Sequence, residues 1–330
     1  MERLSLTNTA FEGNNNVYLF DDGPETVLID AGDWDESTKD KLRAELDSHQ
    51  ITFADIDRIF LTHWHRDHTG LAGYIQGESG ASVHVHERDA PLVRGDEDAV
   101  TALQNLQDGY FEDWGIPTDD RHSLREILNT IQHAVTPPSV DTFTDGDVFT
   151  FNSHEMTVVH TSGHADGLCI FEMTLDGESV VFSGDALLPE YTPNVGGADV
   201  RVEQPLPKYL QALQRIADAD YECAYPGHRE PIAQPTRRAD EIIAHHHERA
   251  INVLTAVQKH APCDTWTVSL ELFGSLEGIH VLHGPGESYA HLEALERQGA
   301  VVREGTTYRL TDFGTDLLSQ SDHDQFTVDY

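Results

Sequence analysis

Two patterns in the chain predict an α/β protein with a separate C-terminal module of winged-helix type. Short β-type runs alternate with amphipathic helical stretches over about the first two hundred residues, and the last seventy or so change to helices followed by a hairpin. At 330 residues the chain is long for one domain and short for three. The division expected is a catalytic-size unit at 1–235 and a smaller unit at 236–330.

Element by element, "NVYLF" and "TVLIDAG" read as strands, and "ESTKDKLRAELDSHQ" as an amphipathic helix with Leu42 and Leu46 on its apolar side. "DRIFLT" and "SVHVH" are further strands. Residues at about 87–135 form a helical insertion between strands, broken at "GIP". From "DGDVFTFNSHEMTVVHTSGH" to "SVVFSGDALL" the pattern returns to β, with "TDGD" and "LDGE" as turns. A helix at about Pro207 to Ala217, the strand "YECAYPGH" and a long helix from about Thr236 to His260 follow. "TVSLELFG" and "ESYAHLEALERQGA" then read as helices, the second ended by Gly299, and "AVVREGTTYRLT" as a hairpin turning at Glu304 and Gly305.

The formal net charge is −37, from 58 acidic against 21 basic residues, and the lysines are Lys39, Lys41, Lys208 and Lys259 alone. Such an acidic, lysine-poor chain resembles proteins of a high-salt, halophilic cytoplasm, where a Debye length of ~3 Å at molar salt screens self-repulsion. Scarce basic side chains disfavour nucleic acid, whose affinity depends on cations displacing counterions. The N-terminus has no basic and apolar leader pattern, and no apolar run reaches the ~20 residues of a membrane span. Cys169, Cys223 and Cys263 are unpaired in spacing and read as free thiols. A cytoplasmic protein is expected.

The chemistry concentrates in "LTHWHRDHTG" at 61–70, directly after the strand-like "RIFL". His63 and His65 point the same way on an extended backbone, and Asp67 and His68 lie one turn further on. Imidazole and carboxylate donors in that density suit a borderline metal such as zinc. With "HTSGH" at 160–164, "SGD" at 183–185 and "YPGH" at 225–228, the order of motifs resembles that of the metallo-β-lactamase superfamily. It looks most like the subgroup of lactamase-like endoribonucleases and glyoxalase II-like hydrolases.

That resemblance implies a four-layer αβ/βα sandwich with a dinuclear metal centre at one edge. His63, His65 and His164 should hold one Zn²⁺, Asp67, His68 and His228 the other, and Asp185 should bridge them; iron or manganese suits the same donors. A zinc-bridging hydroxide would attack without a separate base, which leaves Asp67 and Asp185 as the carboxylates at the reacting centre. The activity implied is metal-dependent hydrolysis of a small-molecule thioester, ester or lactone. Cleavage of single-stranded RNA is one alternative, and an iron-dependent persulfide dioxygenase is another. The partner expected is therefore a small molecule, with RNA second, sequence-specific DNA disfavoured, no membrane, and a homodimer as a candidate assembly.

Other residues invite a role and are read blandly. His84 and His86 share a polar strand face, and His245 to His247 a solvated helix face. His160 is either a support for the ligands or an ordinary strand-end histidine. Tyr191 and Asn194 follow Asp185 and could reach an oxyanion. Tyr110, Phe111 and Trp114 of the insertion form a local apolar core rather than a pocket roof. The expected recognition helix sets Glu287, Glu293 and Glu296 against Arg297, the wrong sign for phosphate contact.

Overall fold

Apolar residues at alternate positions become the two faces of each sheet in the computed structural model, which describes residues 1–6, 13–132 and 136–320. The first sheet runs in chain order: β1 (Glu2–Leu6), β2 (Asn15–Phe20), β3 (Val27–Ile29), β4 (Arg58–Phe60), β5 (Ser82–His86) and β6 (Asp141–Phe143). β1 to β3 are antiparallel, and β3 to β6 are parallel. Parallel neighbours need crossovers. These are α1 (Glu36–Ser48), the short α2 (Arg66–Thr69) with α3 (Ala72–Ser79), and the insertion α4 (Ala90–Val93), α5 (Glu97–Asp113) and α6 (Thr118–Gln132). α1 starts at Asp35, whose carboxylate accepts from the Ser37 and Thr38 amides. The insertion breaks at Gly115, whose φ of +78° stops α5 where "GIP" predicted; residues 133–135 of its expected span lie outside the described residues.

The second sheet contains β7 (Val148–Phe151), β8 (His154–His160), β9 (Cys169–Leu175), β10 (Glu178–Gly184) and β11 (Cys223–Pro226), in the order β11-β10-β9-β8-β7. Its pairs are antiparallel except β10 with β11, which α7 (Pro205–Ala219) connects. The period-2 pattern assigns the layers. In β4, Phe60 enters the core between the sheets while Ile59 faces α1 and α3; in β10, Val180 and Phe182 point inward and Val181 faces α7. The result is helix, sheet, sheet, helix.

The remaining elements are α8 (Pro235–His260), α9 (Thr265–Phe273), α10 (His280–Arg297), β12 (Val301–Glu304), β13 (Thr307–Leu310) and α11 (Asp312–Gln320). The first turns of α8 bury Ala239 and Ile242 with α7, and its later turns bury Val253, Leu254 and Val257 with Leu292, Leu295 and Tyr308. α8 thus belongs to two cores. α10 begins at His280, not at Glu287, and runs through Pro285 and Gly286; Gly286 lies so close to Gly197 that a Cβ there would come within 2.1 Å of its Cα. The triplet His245 to His247 is not a solvated face: α7 and α10 cover α8 on that side and His246 is fully buried, 3.2 Å from His291. Among the described residues no helix is long and apolar enough to cross a membrane.

Candidate metal centre

Every predicted ligand follows the C-terminal end of a strand, and the sheets bring those ends together. His63, His65, Asp67 and His68 follow β4; His164 follows β8; Asp185 follows β10; His228 follows β11. Their donor atoms form three overlapping groups: His63, His65 and His164; His63, His68 and Asp185; Asp67, His68 and His228. All seven residues predicted from the motifs converge on one spot.

In the first group, His65 Nδ1 lies 2.9 Å from His63 Nε2 and 3.0 Å from His164 Nε2. In the carboxylate-rich group, Asp67 Oδ2 is 3.4 Å from His228 Nε2 and 3.8 Å from His68 Nε2. Asp185 spans the two: its Oδ2 is 3.5 Å from His164 Nε2, and its Oδ1 is 3.4 Å from His68 Nε2 and 3.6 Å from His228 Nε2.

The 3.4–3.6 Å spacings around Asp185 and His228 fit a divalent ion, whereas the 2.9 and 3.0 Å spacings of the first group are those of hydrogen bonds between the rings. Donors ~2.0–2.1 Å from a tetrahedral metal stand about 3.3–3.4 Å from one another. His68 Nε2, His228 Nε2 and Asp185 Oδ1 are buried with no hydrogen-bond partner, a state that folded chains avoid unless something else satisfies the atoms.

The far nitrogen of each histidine is anchored, which turns the other toward the centre. His68 Nδ1 is 2.8 Å from Asp30 Oδ2, His164 Nδ1 2.8 Å from the Asn194 carbonyl, His65 Nε2 3.2 Å from the Ala198 carbonyl and His228 Nδ1 3.4 Å from the Gly13 carbonyl. His63 Nδ1 meets the Thr62 hydroxyl at 3.1 Å. Asp30 is buried and also accepts from the amide and hydroxyl of Thr62.

The electrostatics divide the site in the same way. Burial draws His65 down to about 4 and pulls His63 and His164 below the usual imidazole range, so this half offers neutral lone pairs. In the other half burial opposes the charged histidine, but Asp185 and Asp67 outweigh it. They push His228 up to about 10 and His68 well above its ordinary value. Asp185 and Asp67 are held low against burial by the same two histidines. That half stabilises positive charge at its centre, as a cation site must.

Trp64, between two predicted ligands, offers no donor to the cluster and forms a wall beside it, its ring edge-on to that of His65 at 4.8 Å. Its amide donates to Asp89, its indole Nε1 donates to Asp199, and Arg201 bonds to both carboxylates, with its guanidinium 5.3 Å from the ring. Asp30, Asp89, Asp199 and Arg201 carried no recognisable signal in the sequence. Their roles depend on pairing between distant segments.

A cleft of about 160 Å³ opens over the cluster, with Trp64, Gln107, Leu128, Ile279, Leu282 and His283 among its walls. The insertion does roof it, but through Gln107 and Leu128. Phe111 and Trp114 are buried in the local apolar core that was expected, with Tyr110 packed against it.

The other tempting residues stay outside the cluster. His84 stacks on Phe60 and His86 on His160, and His86 is buried, so the two do not form a solvated polar face. His160 Nε2 contacts the Asp166 carbonyl. Tyr191 is exposed beneath the Arg229 guanidinium, and the Asn194 side chain is engaged with Gly197, Ala198 and His283. The Asn194 amide nitrogen thus donates to a backbone carbonyl, and Tyr191 is not among the residues that line the cleft.

A family model described as the metallo-beta-lactamase superfamily matches residues 10–228. The crystal structure of a metallo-beta-lactamase family protein from Thermus thermophilus superposes with a TM-score of 0.81 at 31% identity, covering 94% of this chain and 98% of that one. Beta-lactamase-like protein 2 homolog of Drosophila melanogaster is 27% identical over 86% of this chain and 82% of its own length. Atrochrysone carboxyl ACP thioesterase of Aspergillus fumigatus is 25% identical over 74% of this chain and 59% of its own length. With its ligand motifs assembled at the strand ends of a two-sheet sandwich, the chain belongs to the metallo-β-lactamase superfamily.

Proposed function

We propose that the chain is a dinuclear metal hydrolase of a small-molecule thioester, ester or lactone. The observation that carries this reading is Asp185, whose two carboxylate oxygens face two different donor groups. His63, His65 and His164 would hold one Zn²⁺ and Asp67, His68 and His228 the other, with Asp185 between them. Ions held there supply a water that ionises near pH ~7 and positive charge beside a developing oxyanion. The chain's own part is positional. Asp30, the Asn194 carbonyl and the Ala198 carbonyl keep imidazole lone pairs on the centre, and Trp64 with Leu128 and Leu282 keeps bulk water from one side of the cleft.

A small molecule fits better than RNA because the single arginine lining the cleft, Arg66, is paired with Asp33 at 3.0 Å. The thioesterase named among the relatives supports an acyl substrate. We assign the chemistry to residues 1–235 and a winged-helix-like supporting role to 236–330, whose Ile279 and Leu282 complete the cleft. The acidic surface suits activity at molar salt.

His63→Ala should lose bound metal and hydrolysis together, measured by metal analysis and a thioester and lactone panel. Full turnover by the metal-free variant would sink the assignment. One bound iron with oxygen uptake would favour the dioxygenase reading, and cleavage of labelled RNA without thioester turnover the nuclease.

A further inference from the structure

The metal cleft does not end at its own walls. A second cavity, also about 160 Å³, lies between the insertion and the segment of Trp64 and α2 that follows β4, and it shares Trp64, Arg66, Gln107 and Leu128 with the cleft. The two spaces thus adjoin at these four shared side chains. Leu92, Val93, Val100, Leu103, Leu128 and Pro137 supply the apolar lining of the second cavity.

Its polar lining is already engaged. Arg125 donates to Gln107 Oε1 at 3.0 Å and pairs with Asp108. Arg66 is tied to Asp33, and the Thr69 hydroxyl donates to the His65 carbonyl at 3.2 Å. An occupant would therefore find apolar surface and few groups asking for a hydrogen bond. Leu103 and Val93 are buried, Leu92 and Val100 half-buried and Pro137 exposed, so the space is sheltered on one part of its wall and open to solvent on another. An apolar lining with a small number of placed polar groups is the usual composition of a ligand pocket.

We infer that this second cavity is an acyl-chain channel, and that the substrate is an acyl thioester or ester with an unbranched chain of medium length. The inference rests on the hydrolase reading for the reacting end. A cavity of about 150 Å³ is known to accommodate a benzene ring, so the channel takes roughly six carbons beyond the metal cleft, which points to acyl chains of about eight carbons. In the reaction, a water oxygen bonds to the acyl carbon, the carbon–sulfur bond breaks, and the leaving thiolate takes the proton from water. The products are a fatty acid and a thiol, with no oxidant or reductant required.

Each methylene buried in the channel should raise kcat/KM about fourfold, the factor that corresponds to ~0.8 kcal/mol per CH₂. The test is a series of N-acetylcysteamine thioesters from acetyl to hexadecanoyl, with the metal-loaded enzyme. A second measurement, calorimetric binding of 1-octanol against ethanol, reads the channel without any chemistry. Leu103→Trp fills the channel, and Val100→Phe does so from a half-exposed position that spares the core.

The expected result is a rise in kcat/KM to about the octanoyl ester followed by a plateau, octanol binding far tighter than ethanol, and loss of both trends in the two variants. Turnover independent of chain length, with no octanol bound, overturns the channel and leaves the hydrolase standing. Octanol binding that the variants abolish, with no acyl substrate hydrolysed, overturns the hydrolase and leaves the channel.

Discussion

Asp30→Asn isolates the contribution of the residue that aims His68. In the native chain Asp30 Oδ2 sits 2.8 Å from His68 Nδ1, and Oδ1 accepts from the Thr62 amide at 2.8 Å. An asparagine has one acceptor oxygen, and the Thr62 amide claims it. The new NH₂ then faces His68 Nδ1 and requires a lone pair there, which moves the ring hydrogen to Nε2 and turns a donor atom into an N–H. Loss of such a carboxylate partner typically costs 10- to 100-fold in metal affinity, or about 1.4–2.7 kcal/mol. The side chain keeps its size, so the fold should persist. Competition with a chromophoric chelator measures the affinity, and a thermal melt of the metal-free protein controls for stability. Wild-type metal affinity in a folded Asp30→Asn variant would refute the orientation argument.

Two further outcomes follow from packing and burial. Gly227→Ala places a Cβ 2.6 Å from Asp185 Oδ1 and from His68 Cε1, so it should cost about 1–3 kcal/mol of stability and lower metal content after dialysis; full occupancy would contradict the close approach. His246 is drawn down to about 3 by burial and stays neutral when folded, whereas the unfolded chain protonates it near 6.5. Its stabilisation is therefore present above pH ~6.5 and is lost as pH falls toward 3, amounting to about 2 kcal/mol by pH 5. His291 acts in the same sense and buried Glu287, whose carboxyl is pushed up, in the opposite one. Urea unfolding at pH 7 and pH 5 should thus show a smaller acid loss in His246→Gln than in the native chain, and equal losses would refute the assignment.

The ligand cluster was legible because each donor sits in a short motif at a strand end, and strand ends can be read locally. "HWHRDH", "HTSGH", "SGD" and "YPGH" each needed only their own neighbours in sequence. Asp30 was not legible, since its partnership with His68 exists only because β3 lies parallel to β4 and delivers Asp30 beside Thr62. Trp64 shows the limit of residue parity: alternation places it opposite His63 and His65, but the carboxylates of Asp89 and Asp199 that hold it come from elsewhere in the fold. The burial of His246 was hidden by its own polarity and by the charged residues between the stripe positions: it interrupts an otherwise apolar stripe of Ala239, Ile242, Ala250, Val253 and Val257 on the buried face of α8. β1 was also missed, although Leu4 and Leu6 alternate correctly in it. A five-residue edge strand has too little pattern to read alone.

The candidate ligands are divided between the two sheets, four after β4 in the first and three after strands of the second. Neither half can complete the centre by itself. The shared core of Phe20, Phe60, Phe171 and Phe182 must close before His63 meets His164 or His68 meets His228. Contacts between segments so far apart in the chain form late, after the loop-closure entropy has been overcome. A newly made chain would thus acquire its metal as one of the last events of folding, and uptake of the ion would serve as a clock for the docking of the two sheets.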